Sequence, residues 1–160
     1  MKILGIDPGT TRLGYGVIEV QGSKIKAQSF GVIGYQQGTP GERLKRIYDE
    51  LNKLIKKYRP DRVALEQLFF YRNQKTAMRV SQAHGVAMLA AQMERVPIVE
   101  VTPAQVKQSV TSYGAADKQQ VQSAIKMLLG LKEVPKPDDA ADALAVAITC
   151  SLVRSYGNRH

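Results

Sequence analysis

The fold the sequence predicts is a single α/β domain whose five-stranded mixed sheet is flanked by helices, and three observations predict it. Three strand-like runs follow one another at the start, short apolar strands then alternate with helical segments, and 160 residues suit one domain with a core of its own. The opening "KILGI" and "RLGYGVIEV" read as strands parted by an Asp-Pro-Gly turn, and "KIKAQSFGVIGY" as a third that completes a meander. From Glu42 to Tyr58, Leu44, Ile47, Tyr48, Leu51, Leu54, Ile55 and Tyr58 recur at three- and four-residue steps among charged residues, so this is an amphipathic helix closed by Pro60. "RVALEQLF" is a short apolar strand with Glu66 set inside it, and a polar loop, "YRNQK", follows. A helix from about Thr76 to Glu94 carries the small residues Ala77, Ala83, Gly85, Ala87, Ala90 and Ala91. "PIVEV" is the fifth strand. After it come a short helix from near Pro103, a helix from about Lys118 to Leu129 and a last helix from about Asp138 to Ser155. Strands first, then strands alternating with helices, is the ribonuclease-H-like arrangement.

Charge narrows the partner. The 23 Lys and Arg residues against 14 Asp and Glu give a net charge of +9, which favours a polyanion, with nucleic acid foremost. The single cysteine, Cys150, has no internal disulfide partner and lies in the apolar "LAVAITCSLV", where it reads as a small buried hydrophobe of a reducing cytosol. No segment reaches membrane-spanning length and no signal peptide is legible, so a cytoplasmic protein is expected.

Against this basic background the acids inside apolar segments stand out. Asp7 interrupts the first strand and Glu66 the fourth, where an unpaired carboxylate costs several kcal/mol. "PDDAADALAVAI" adds Asp138, Asp139 and Asp142, and three- and four-residue helical steps place Asp142 on one face with both Asp139 and Asp138. Asp138 suits the N-cap of that helix, whereas Asp142 falls beyond the first turn, among alanines and Leu144. Asp7 by itself suits the turn at Pro8-Gly9, and Glu66 an ion pair, but acids in two strands and a helix make joint sense as ligands of divalent cations. Such a site on a basic protein is a nuclease pattern. No Ser, Cys or His nucleophile is required. His84 lies within the small-residue helix and reads as structural, and His160 is the last residue.

Taken in order and at these separations, "GIDPGT", "ALEQLFF", "QVKQSVTSYGAADKQQV" and "DDAADALAVAIT" resemble the RuvC family of crossover junction endodeoxyribonucleases, the bacterial Holliday junction resolvases, from Lys2 to about Val153. The resemblance implies a ribonuclease-H-like nuclease domain over residues 1–155 with a tail at 156–160, acting as a homodimer that cuts two strands of a four-way DNA junction. It also implies catalytic, metal-binding acids at Asp7, Glu66, Asp139 and Asp142, because the family's D-A-A-D spacing selects Asp139 over Asp138. Lys107 and Lys118 match the family's basic residues near the scissile strand, Phe69 matches its base-stacking aromatic, and Arg72 follows close behind. Two Mg²⁺ ions per site are implied, with Mn²⁺ able to substitute, as are 5′-phosphate and 3′-hydroxyl products, a role in DNA recombination and repair, and partnership with the RuvA and RuvB branch-migration proteins. The small-residue helix becomes the dimer interface by the same resemblance; the residues alone equally allow it to pack on its own sheet. The opening "GIDPGTTRLGYGV" is also similar to the phosphate-binding segment of actin-like ATPases, but no second phosphate segment accompanies it.

Overall fold

The computed structural model describes residues 1–69 and 74–153. Strands β1 (Lys2–Pro8), β2 (Arg12–Gln21) and β3 (Lys24–Gly34) form the predicted antiparallel meander. Helix α1 (Pro40–Tyr58) returns the chain to β4 (Arg62–Glu66), and α2 (Gln74–Met93) leads to β5 (Ile98–Val101). Helices α3 (Pro103–Thr111), α4 (Lys118–Leu128) and α5 (Asp138–Leu152) complete the order. The sheet runs β3-β2-β1-β4-β5, antiparallel on the β2 side of β1 and parallel on the β4 side.

Alternation along the strands sorts side chains to two apolar layers. Leu4, Ile6, Val63 and Leu65 pack with Ile47, Leu51 and Ile55 of α1 and with Ala83, Ala87, Ala90 and Ala91 of α2. Each fully buried Ile or Leu contributes about 1.5–3 kcal/mol by leaving water. The small residues of α2 therefore rest on the chain's own sheet and α1. Ile3 and Ala64 face the opposite way, toward Val106 and Val110 of α3, Val121 and Ile125 of α4 and the apolar body of α5. Cys150 is buried there, and burial pushes its thiol up from the ordinary value.

Helix α5 lies unusually close to the sheet because two strands present glycine to it. A Cβ on Gly5 would collide with the carbonyl oxygen of Ala143, and one on Gly14 with that of Asp139. A Cβ on Gly16 would come within 2.8 Å of the Leu144 side chain. Register pairs Gly5 with Gly16 and Asp7 with Gly14, so these positions share one face. Backbone touches backbone at this seam.

The boundaries differ from the sequence reading for local reasons. Helix α1 starts at Pro40 rather than Glu42, since Thr39 accepts from the Glu42 amide and Glu42 returns a hydrogen bond to Thr39, a capping box with proline at the first turn. The strand read over "RVALEQLF" ends at Glu66, and α5 ends at Leu152. Asp138 is not the N-cap of α5: Pro137 holds that position without a side-chain bond, and Asp138 is the first helical residue. No helix among the described residues is long and apolar enough to cross a membrane.

Candidate active site

Strand alternation explains how two of the acids meet. Asp7 lies two residues beyond Gly5 and Glu66 two beyond Ala64, so both point to the α5 face of the sheet. The parallel register joins Ile6 to Leu65, which puts the next residues, Asp7 and Glu66, side by side at the strand ends. Asp142 enters from α5, one turn beyond Asp138, and Lys107 and Lys118 from α3 and α4. These five side chains line one cavity of about 270 Å³, floored by Val106, Val121 and Ala145. Both lysine-bearing helices are fixed at their starts by capping boxes, Thr102 with Gln105 and Asp117 with Gln120.

Asp139 is brought near but not into that lining. Its Oδ2 lies 2.6 Å from Arg12 Nε, an ion pair whose N–H is not aligned for a hydrogen bond, which leaves this buried oxygen without a hydrogen-bonding partner. Asp138 takes a different partner. Its Oδ2 is 3.0 Å from Lys118 Nζ, and its Oδ1 accepts from Gln122 Nε2 at 3.1 Å. Lys118 Nζ also stands 3.6 Å from Asp142 Oδ2.

The acids feel one another across the cavity. Burial, and then the charges of Asp142, Glu66 and Asp139, push the Asp7 carboxyl up to about 7, against the pull of Lys118. Burial raises Glu66 as well, helped by Asp142 and opposed by Lys107. Asp142 is raised by burial, with Lys118 opposing. The hydrogen bond to Asp138 leads the causes that raise Lys118, and the same contact lowers Asp138.

Among the described residues no three His, Cys, Asp or Glu side chains stand close enough together to hold a metal ion; Arg12 engages Asp139 and Lys118 stands against Asp142. The donor set nevertheless suits a hard divalent cation. It consists of carboxylate oxygens whose shared negative charge is unfavourable until neutralised.

Phe69 follows β4 and is 50% exposed, so it is no part of the core. Arg72 and His160 lie outside the described residues. His84 is buried on α2, with Nε2 3.4 Å from Glu100 Oε1 on β5, and is not among the residues lining the cavity. Two features escaped the sequence reading. Arg12 was legible only as the basic residue closing "GTTR" after the turn. A second cavity of about 420 Å³ also emerged, lined by Thr10 and Tyr35 and by Arg43, Lys75 and Arg79, with no carboxylate. Tyr35 pins this region by donating its hydroxyl hydrogen to the Gly9 carbonyl.

The family model for crossover junction endodeoxyribonuclease RuvC matches residues 3–150. A Brevibacillus brevis protein named crossover junction endodeoxyribonuclease RuvC is 50% identical over 98% of this chain and 95% of its own length. One of the same name from Thermosipho melanesiensis is 53% identical over 92% of this chain and 94% of its own. Among solved structures, Thermus thermophilus RuvC in complex with a Holliday junction substrate superposes with a TM-score of 0.86 at 38% identity, covering 94% of this chain and 93% of that one. The yeast mitochondrial resolvase Ydc2, at 17% identity and a TM-score of 0.65, shares the fold. Matched along nearly its whole length by family model, relatives and structure alike, the chain belongs to the RuvC family of crossover junction endodeoxyribonucleases.

Proposed function

We propose that this chain is a structure-selective endonuclease that resolves four-way DNA junctions by divalent-metal-dependent phosphodiester hydrolysis, in recombination and repair. The observation that carries the proposal is the convergence of Asp7, Glu66 and Asp142 with Lys107 and Lys118 in one cavity of a basic protein. Asp7, Glu66, Asp139 and Asp142 would hold the cations, which we take to be two Mg²⁺ ions replaceable by Mn²⁺. Bound there, the cations would supply an activated water for in-line attack and charge stabilisation at the departing 3′ oxygen, for 5′-phosphate and 3′-hydroxyl ends.

The chain's own groups do the rest. The β1–β4 register fixes Asp7 beside Glu66, and the glycine seam holds α5 and Asp142 over them. Lys107 and Lys118 offset the negative charge of the scissile phosphate. Arg43, Lys75 and Arg79, around the neighbouring cavity, extend positive potential along the strand's path. Phe69, exposed beyond β4, is suited to stack on a base unpaired at the crossover, with Arg72 following it in sequence. Pairing of two copies would use the apolar stripe that α2 turns away from its own sheet, Met78, Leu89 and Met93, which are 65%, 53% and 62% exposed. Residues 1–155 would act as one domain with 156–160 as a tail, in the cytoplasm and alongside RuvA and RuvB.

The test is cleavage of a synthetic four-way junction, the matching duplex and an RNA duplex in Mg²⁺. We expect paired nicks in the junction only. Asp7→Asn, Glu66→Gln and Asp142→Asn should abolish cleavage while retaining junction binding. Equal cutting of the duplex, or near-normal activity in any of the three variants, overturns the corresponding part of the proposal.

A further inference from the structure

The Asp138–Asp139 doublet divides its work. Asp139 faces Arg12, while Asp138 meets α4. On α4, Lys118 and Gln122 are one turn apart and so share a face, and they grip the two oxygens of Asp138 like a fork, at 3.0 and 3.1 Å. On α5, Asp138 and Asp142 are likewise one turn apart, and the same ammonium stands 3.6 Å from Asp142. One lysine is therefore shared unequally between two acids of one helical face, and Gln122 fixes the acid that holds it more closely.

We infer that Asp138 is a positioning residue: by retaining the Lys118 ammonium at the cavity mouth it keeps that charge from closing onto Asp142, and so leaves the Asp142 carboxylate available to a divalent cation. This rests on the metal-binding reading of the cavity. Without Asp138, Lys118 keeps Asp142 as its remaining acidic partner among those it now contacts, and an ammonium seated on that carboxylate competes with a cation for the same oxygens. Lys118 also loses its station for the phosphate. The inference gives the acidic doublet a reason: Asp138 does not bind metal, and it governs a lysine that would otherwise block an acid that does.

The experiment measures Mn²⁺ binding by electron paramagnetic resonance on the protein without DNA. Exposed ion pairs are weak, so Asp138→Asn should raise the Mn²⁺ dissociation constant about two- to five-fold. Asp138→Glu, which keeps the charge, should restore the wild-type value. Lys118→Met should tighten Mn²⁺, and adding Asp138→Asn to it should change nothing further. An unchanged constant in Asp138→Asn overturns the inference. So does an equal loss with and without Lys118, which would mean that Asp138 acts only through its own field. A second readout needs no metal. In the cation-free protein, Asp138→Asn should shift the carboxyl carbon resonance of Asp142, and the shift should vanish in the Lys118→Met background. Wild-type protein that binds no Mn²⁺ refutes the metal reading, while the resonance separately decides whether Lys118 has moved; an unmoved resonance overturns the inference.

Discussion

Replacing Asp7 by Asn should stabilise the cation-free protein at alkaline pH while removing its cleavage activity. The Asp7 carboxyl stands at about 7 in the fold against an ordinary 3.8, because burial and three neighbouring acids oppose its ionised form. A raised acid makes the fold most stable where it is protonated in both states, below about pH 4. That stability drains away as the pH climbs from about 4 through about 7, and the loss is complete above. At 1.36 kcal/mol per unit, the difference sets a ceiling of about 4 kcal/mol on what ionised Asp7 costs at pH 8.5. In a chain of this size each kcal/mol moves the melting temperature by about 2–4 °C. Asp7→Asn should therefore melt roughly 8–16 °C above wild type at pH 8.5 in chelator if the full ceiling is realised, with the gap closing toward pH 4. Differential scanning calorimetry across that range is the assay. Adding Mg²⁺ at pH 8.5 should narrow the gap from the wild-type side, because the fold alone assembles the acids that bind it. A variant no more stable than wild type at pH 8.5, or a gap that widens toward pH 4, refutes the claim that burial and the neighbouring acids penalise ionised Asp7.

Two further outcomes test the flanks of the site. Phe69→Ala should cost junction cleavage about 1–3 kcal/mol, with no loss of melting temperature since the ring is half exposed; a substrate already unpaired at the crossover should restore it, but not Lys107→Ala or Lys118→Ala. A fall in melting temperature would return Phe69 to a packing role. Gly5→Ala, whose new methyl meets the Ala143 carbonyl, should lower stability in urea by about 1–3 kcal/mol and reduce cleavage by lifting α5; an unchanged midpoint would mean that the seam is not tight.

The sheet was legible because its pattern is local. Alternating apolar runs, the Asp-Pro-Gly turn and helical spacing each follow from neighbours in sequence, and they name all five strands. Strand ends were less so: "QLF" continues the apolar run of β4, yet the register with β5 ends at Glu66, with one last hydrogen bond from the Gln67 amide to Val101. Asp7, Glu66 and Asp142 could be suspected because charge inside apolar runs is costly, but their side-by-side placement depends on the β1–β4 register, which no periodicity encodes. Asp138 misled for a related reason. An acid before a helix reads as a cap, and only the packing of α4 against α5 shows it engaged with Lys118 and Gln122. Arg12 gave no sign of Asp139, which lies at the far end of the chain.

The glycine seam beneath α5 also bears on how rigidly the acids are spaced. Because main-chain atoms of Gly5 and Gly14 abut those of Ala143 and Asp139, the gap between strand-borne and helix-borne acids is held by parts that have no alternative rotamer. Side chains can swing, but the helix cannot slide inward or ride up without breaking peptide contacts. A frame of backbone contacts stops the helix-borne acids from closing further onto the strand-borne ones, so their least separation is set by residues that carry no side chain at all.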